Sequence, residues 1–202
     1  MNRTPSTTLI EGPAAPIEVA LVDPGPSRKG IAVVAHPHPL YGGTMDNKVV
    51  TTLARAFEGE GFAAVRFNFR GVGKSGGTFD EGFGETDDAV AVAKWALATL
   101  GQSPLLLAGF SFGAAIQARA AQQLNPARLV LVAPAVTRVV MPNVPEDTLV
   151  IHGENDDVVP LGEVMDWARP QALPVLVIPG GEHFFHGRLH ILKRVVVKAC
   201  RS

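Results

Sequence analysis

Short runs that are apolar at almost every position, separated by longer stretches with helical spacing, constrain this chain more than any other feature. The runs are IEVALV, GIAVVAH, AAVRFNF, PLLLAGF, RLVLVAP, DTLVIHG and PVLVIPG. A strand with one face in water alternates apolar and polar residues, whereas a strand apolar throughout is buried on both faces. Between the runs lie DNKVVTTLARAFEGEG, GETDDAVAVAKWALATL, FGAAIQARAAQQL, a shorter LGEVMDWA and a last segment from about Gly187, all with helical spacing. This alternation predicts an α/β fold, a mostly parallel sheet covered by helices on both faces. Nothing repeats and no low-complexity linker divides the 202 residues, so one domain over 1–202 is expected. Ligands of such sheets bind beyond the carboxyl ends of the strands, which directs the search for chemistry to the loops after each run.

Charge and composition narrow the classes of function. The formal net charge of -1 gives no electrostatic reason to expect nucleic acid or an anionic membrane as partner. The longest apolar stretches, such as LVLVAPAV, fall far short of a transmembrane helix. After Arg3 no apolar core follows, so no secretory signal is read, and the single cysteine, Cys200, excludes an intrachain disulfide or a cysteine-rich zinc site. A cytoplasmic location is the expectation.

The stretch PLLLAGFSFGAAIQARAA carries the chemistry. GFSFG fits G-x-S-x-G, with a strand predicted before it and a helix after it, as a nucleophile elbow requires. Gly109 and Gly113 leave room for a sharp turn at Ser111, and the first N–H groups of the helix point to where negative charge would develop. A serine hydroxyl is a poor nucleophile near neutral pH and needs a histidine base oriented by a carboxylate. The expected order is Ser, then Asp or Glu, then His. LVIHGENDDVVP supplies Asp156 and Asp157 after one strand, and PVLVIPGGEHFFHG supplies His183 after the next.

Together these segments resemble a known group. HPHP…GGTMDNKVV, RFNFRGVGKSGG, GFSFGA and HFFHG, spread from about Ile31 to Leu189, are similar to the small, lidless, dienelactone-hydrolase-like bacterial serine hydrolases of the α/β-hydrolase superfamily. The resemblance implies an α/β-hydrolase fold, a Ser-His-Asp triad, an acyl-enzyme intermediate and no metal or organic cofactor. It matches Ser111 to the nucleophile and His183 to the base. The string H-G-x-x-D-x-x-V-P, from His152 to Pro160, selects Asp156 and leaves Asp157 to face solvent or cap the turn. Dienelactone hydrolases proper use a cysteine where this chain has serine, which argues against that particular substrate. His186 and His190 are expected on a helix surface.

One oxyanion donor should be the N–H of Phe112, directly after the nucleophile. The other should come from PHPLYGGTMDN, where Pro37 and Pro39 have no N–H to give. The family's H-G-x pattern places it at His38, with Leu40 and Tyr41 still open. An H-x-H metal reading of His36 and His38 lacks a supporting carboxylate or cysteine cluster, and His36 is expected to pack and hydrogen-bond within its loop. GVGKSG, Gly71 to Gly76, fits G-x-G-x-x-G, but no helical period follows, so a dinucleotide site is not expected. Arg70 beside it should hold loops together, and Asp87 and Asp88 should favour the positive end of the next helix. The phenylalanines flanking Ser111 should divide between packing under the elbow and lining the acyl site.

About fifteen residues, APAVTRVVMPNVPED, separate the strand after the elbow helix from the aspartate strand, too few for a cap domain. A lidless site favours small acyl groups. The reading is a serine hydrolase of small carboxylic esters or thioesters, monomeric or homodimeric. Its rivals are a peptidase or amidase with the same triad, and a non-catalytic binding protein on the hydrolase fold.

Overall fold

The computed structural model describes residues 4–200. In chain order the elements are β1 (Ser6–Ile10), β2 (Ile17–Val22), β3 (Ile31–Ala35), α1 (Lys48–Gly59), β4 (Ala63–Phe67), α2 (Phe83–Leu100), β5 (Leu105–Phe110), α3 (Phe112–Leu124), β6 (Arg128–Val132), β7 (Leu149–Gly153), α4 (Leu161–Ala168), β8 (Val175–Ile178) and α5 (Leu189–Ala199). All eight strands join one sheet in the order β1-β2-β4-β3-β5-β6-β7-β8. From β4 to β8 every pairing is parallel, while β1 with β2 and β2 with β4 are antiparallel.

The apolar runs are buried for the reason their composition suggests. Val33, Val65, Leu107 and Leu129 face the core shared with α2, α3 and α4, whereas Val34, Ala64, Leu106 and Val130 face the core shared with α1 and α5. Two findings depart from expectation. β1 was not signalled by periodicity, because STTLI is an edge strand with four of its five residues exposed. β8 reads as buried on both faces, yet it closes the other edge of the sheet, so Leu176 and Val177 remain 37% and 36% exposed.

The order of the strands positions the site. After β3 the chain moves outward to β4, then crosses back to β5 on the other side of β3. The loops leaving β3 and β5 therefore diverge, and a crevice opens above their carboxyl ends. β7 and β8 deliver their own loops to the same end of the sheet, in register through Gly153 with Ile178. Between β6 and β7 no helix or strand intervenes. The crevice has no lid.

Candidate active site

Ser111 sits between β5 and α3 with φ 56° and ψ -118°, a conformation L-residues rarely adopt. Such backbone strain costs about 1–3 kcal/mol and persists only where its surroundings over-determine it. Here the Ser111 N–H donates to Val132 O at 2.9 Å, and the Ser111 carbonyl accepts from Ala114, Ala115 and Ala135. The two glycines are needed for close approach. A Cβ on Gly109 would strike the Gly113 carbonyl, and one on Gly113 would strike the carbonyls of Ala35 and His36.

Three sequence-predicted residues come together at this turn. His183 Nε2 lies 3.1 Å from Ser111 Oγ, and His183 Nδ1 lies 2.7 Å from Asp156 Oδ2. All three side chains are buried, with Ser111 the most accessible at 8%. The other oxygen of Asp156 accepts the N–H groups of Val158 at 3.0 Å and Val159 at 2.8 Å. Burial alone would raise the Asp156 carboxyl. The hydrogen bonds from His183 and Val159, helped by the two neighbouring imidazoles, outweigh it and hold the carboxyl below its ordinary value. Asp157, the neighbour also considered, is exposed.

A second histidine, missed as a site residue, touches this group. His152 at the end of β7 is fully buried, with Nε2 2.8 Å from Val159 O and 3.5 Å from Asp156 Oδ2. Burial pushes its pKa down, so it stays neutral and donates from Nε2. The H-G-x-x-D string contained it, but nothing in the string says that the ring reaches the carboxylate.

The opposite wall comes from the loop after β3. His38 packs its ring among Tyr41, Phe79 and Phe112, with centroids 4.7, 5.0 and 4.8 Å away. Leu40 N–H donates to His38 Nδ1 and Tyr41 N–H to His38 O, so both of these amides are spent. Among the described residues, neither the His38 N–H nor the Phe112 N–H has a protein acceptor. His36 is buried, accepts from the Phe69 N–H at Nε2 and donates from Nδ1 to Pro37 O. Burial lowers its pKa to about 4. With both nitrogens engaged, His36 offers no free donor for a shared metal ligand set with His38.

The flanking phenylalanines divide as expected. Phe110 packs its ring 4.9 Å from the His183 ring, and Phe112 lines the cleft. The cleft itself is about 500 Å³, within the ordinary range for small-molecule sites. Val158, Val159, Phe184 and Ala135 make much of its surface apolar, and Arg138 stands at its wall.

The G-x-G-x-x-G segment forms a closed loop, not a phosphate cradle. Gly71 N–H bonds to Gly76 O, and α2 does not begin until Phe83. Arg70 holds it in place, as expected, but its partner corrects the reading of Asp88. Asp87 is exposed, whereas Asp88 is 1% exposed and takes Arg70 Nε and Nη2 at 3.0 and 2.7 Å. Asp88 serves a buried bidentate ion pair rather than the helix dipole alone. Exposed His186 pairs with Glu182 and exposed His190 lies on α5, both outside the cleft.

An eight-stranded, mostly parallel sheet with an elbow after its fifth strand and no cap defines an α/β hydrolase without a lid. Comparison with known proteins agrees. Residues 33–146 match the family described as Serine aminopeptidase, S33. An alpha-beta serine hydrolase homologue from Coxiella burnetii is 42% identical, with TM-score 0.88 and coverage of 98% of each chain. A lidless a/b serine hydrolase from Xanthomonas campestris is 39% identical, with TM-score 0.92 over 100% of this chain and 95% of that one. An uncharacterized protein of Rickettsia prowazekii is 34% identical over 194 residues, 86% of this chain and 79% of that protein. This chain belongs to the S33 family of serine hydrolases within the α/β-hydrolase superfamily.

Proposed function

We propose that the chain hydrolyses small carboxylic esters or thioesters through an acyl-enzyme on Ser111. The observation that carries the reading is the unbroken hydrogen-bonded series Asp156–His183–Ser111 at the base of an apolar cleft. Ser111 Oγ attacks the carbonyl carbon while His183 Nε2 takes its proton. The Nδ1–H stays on His183 and donates to Asp156, whose charge stabilises the imidazolium. The oxyanion forms against the N–H groups of Phe112 and His38. His183 then returns the proton to the departing alkoxide or thiolate, and water repeats the sequence to release the acid. No metal or organic cofactor is required by these steps.

The family description names an aminopeptidase, and the same triad can cleave amides. An aminopeptidase must hold a free ammonium group beside the scissile bond, which calls for a carboxylate or a set of acceptors. Among the described residues no acidic side chain lines this cleft, and its one arginine or lysine is Arg138, a cation. That sign favours ester over aminopeptide. Matched aryl ester, thioester and N-terminal amino-acid amide substrates test the choice. Faster turnover of the ester or thioester, abolished in Ser111→Ala, is expected, and preferred cleavage of the amino-acid amide would overturn it.

A further inference from the structure

Arg138 is the feature of the cleft that the triad chemistry does not use. It lies on the loop between β6 and β7, directly after Thr137, and it lines the same cleft as Ser111 and His183. Its guanidinium makes no hydrogen bond or ion pair to any other described residue. Neither Glu163, which accepts from Thr137 Oγ1 at 2.8 Å, nor Asp46, which pairs with Arg66 at 2.7 Å, lines the cleft. The charge of Arg138 is felt across the cleft, since it adds to burial in lowering the pKa of His38.

A second donor lines the same cleft. The Asn47 side chain caps α1, with its Oδ1 accepting the Val49 N–H at 2.9 Å. That bond fixes which way the amide points and turns Nδ2, with two N–H donors, away from the helix. Asn47 lines the cleft, and Nδ2 has no protein acceptor among the described residues. An arginine fork and an amide NH₂ in one cleft, with no carboxylate among the described lining residues, form an anion-binding set. The charge is a single positive one. A monoanionic carboxylate balances it, whereas a phosphate monoester would leave its second charge uncompensated.

We propose that the natural substrate carries a carboxylate besides its scissile ester, and that Arg138 and Asn47 Nδ2 bind that group. This rests on the serine-hydrolase reading and deepens it from small esters to half-esters of the dicarboxylic type. The arginine determines specificity and takes no part in the bond-making steps. Because it is partly in water, its contribution falls with ionic strength.

A matched pair of 4-nitrophenyl alkylphosphonates separates this inference from the reading beneath it. One probe ends in a carboxylate and the other in its methyl ester, and nitrophenol release gives the second-order rate of Ser111 phosphonylation. The wild type should react about tenfold faster with the carboxylate probe in low salt, the scale expected of one charge-assisted contact. Arg138→Gln should bring the ratio of the two rates close to one, Arg138→Lys should retain part of the preference, and 0.5 M salt should shrink it. Equal rates in the wild type, or a ratio unchanged by Arg138→Gln, would overturn the proposal and leave the hydrolase reading standing. Reaction with neither probe would overturn both.

Discussion

Replacing Asp156 by asparagine tests how the base is held, and the structure decides which way the new amide would face. Asp156 Oδ1 accepts two backbone N–H groups, from Val158 and Val159. Turning an NH₂ toward them would oppose two donors with a third, so the amide oxygen stays there. The NH₂ then occupies the Oδ2 position, 2.7 Å from His183 Nδ1. To accept this donor, His183 must carry its proton on Nε2, facing Ser111, where it can no longer take the serine proton. Recovering the productive tautomer leaves two donors, the amide and Nδ1–H, unsatisfied at about 1–3 kcal/mol each. That total corresponds to a factor of about 30 to 3 × 10⁴ in rate. Losing the negative charge that stabilises the imidazolium pushes the expected loss in kcat toward about 10⁴-fold. The assay is pre-steady-state and steady-state hydrolysis of 4-nitrophenyl acetate, with the melting temperature as a control for folding. Asp157→Asn, at an exposed position, should behave as wild type. A folded Asp156→Asn protein with kcat within tenfold of wild type would show that Asp156 does not hold the tautomer of His183.

Three further outcomes are expected. Asp88→Ala strands the buried Arg70 fork, with Asp80 3.9 Å away as a poor substitute, and should destabilise the protein by about 3 kcal/mol. In thermal unfolding this should lower Tm by about 6–12 °C, and a shift under 2 °C would contradict it. The buried His36 is neutral in the fold, with its pKa depressed from 6.5 to about 4. Between these values the unfolded chain binds a proton that the folded chain does not, so stability is full above pH 6.5 and falls as the pH drops toward 4. Its share is about 3 kcal/mol, and urea midpoints unchanged between pH 7 and 4.5 would refute it. Finally, the lidless cleft of about 500 Å³ clamps little of a long chain. Acetate and butyrate esters should show higher kcat/KM than the laurate ester, and the reverse order would defeat the size argument.

What the sequence displayed, and what it hid, follows the range of the interactions. The central strands were legible because burial on both faces leaves an apolar run, and the elbow because its strand, glycines and helix are contiguous. Asp156 could be told from Asp157 only through the pattern of its turn, whose cause is the pair of N–H groups at Val158 and Val159. The Arg70–Asp88 pair was not legible, since eighteen residues separate its members and helix-start carboxylates have a simpler explanation. Nor was the tie from Glu18 to Asn68 and Lys74, which anchors the glycine-rich loop across the β2–β4 edge. Arg138 lies in a loop without any motif, and only the fold brings it to the serine. β1 and β8 were misjudged for one reason. Composition reports how apolar a strand is, whereas position in the sheet decides how much of it is covered.

Activation of Ser111 is read out by intact mass after exposure to a fluorophosphonate. One adduct is expected on the wild type and none on Ser111→Ala, with His183→Ala strongly slowed. No adduct on folded wild type, or an adduct that persists in Ser111→Ala, would contradict an activated Ser111 and bring forward a binding role for the same fold.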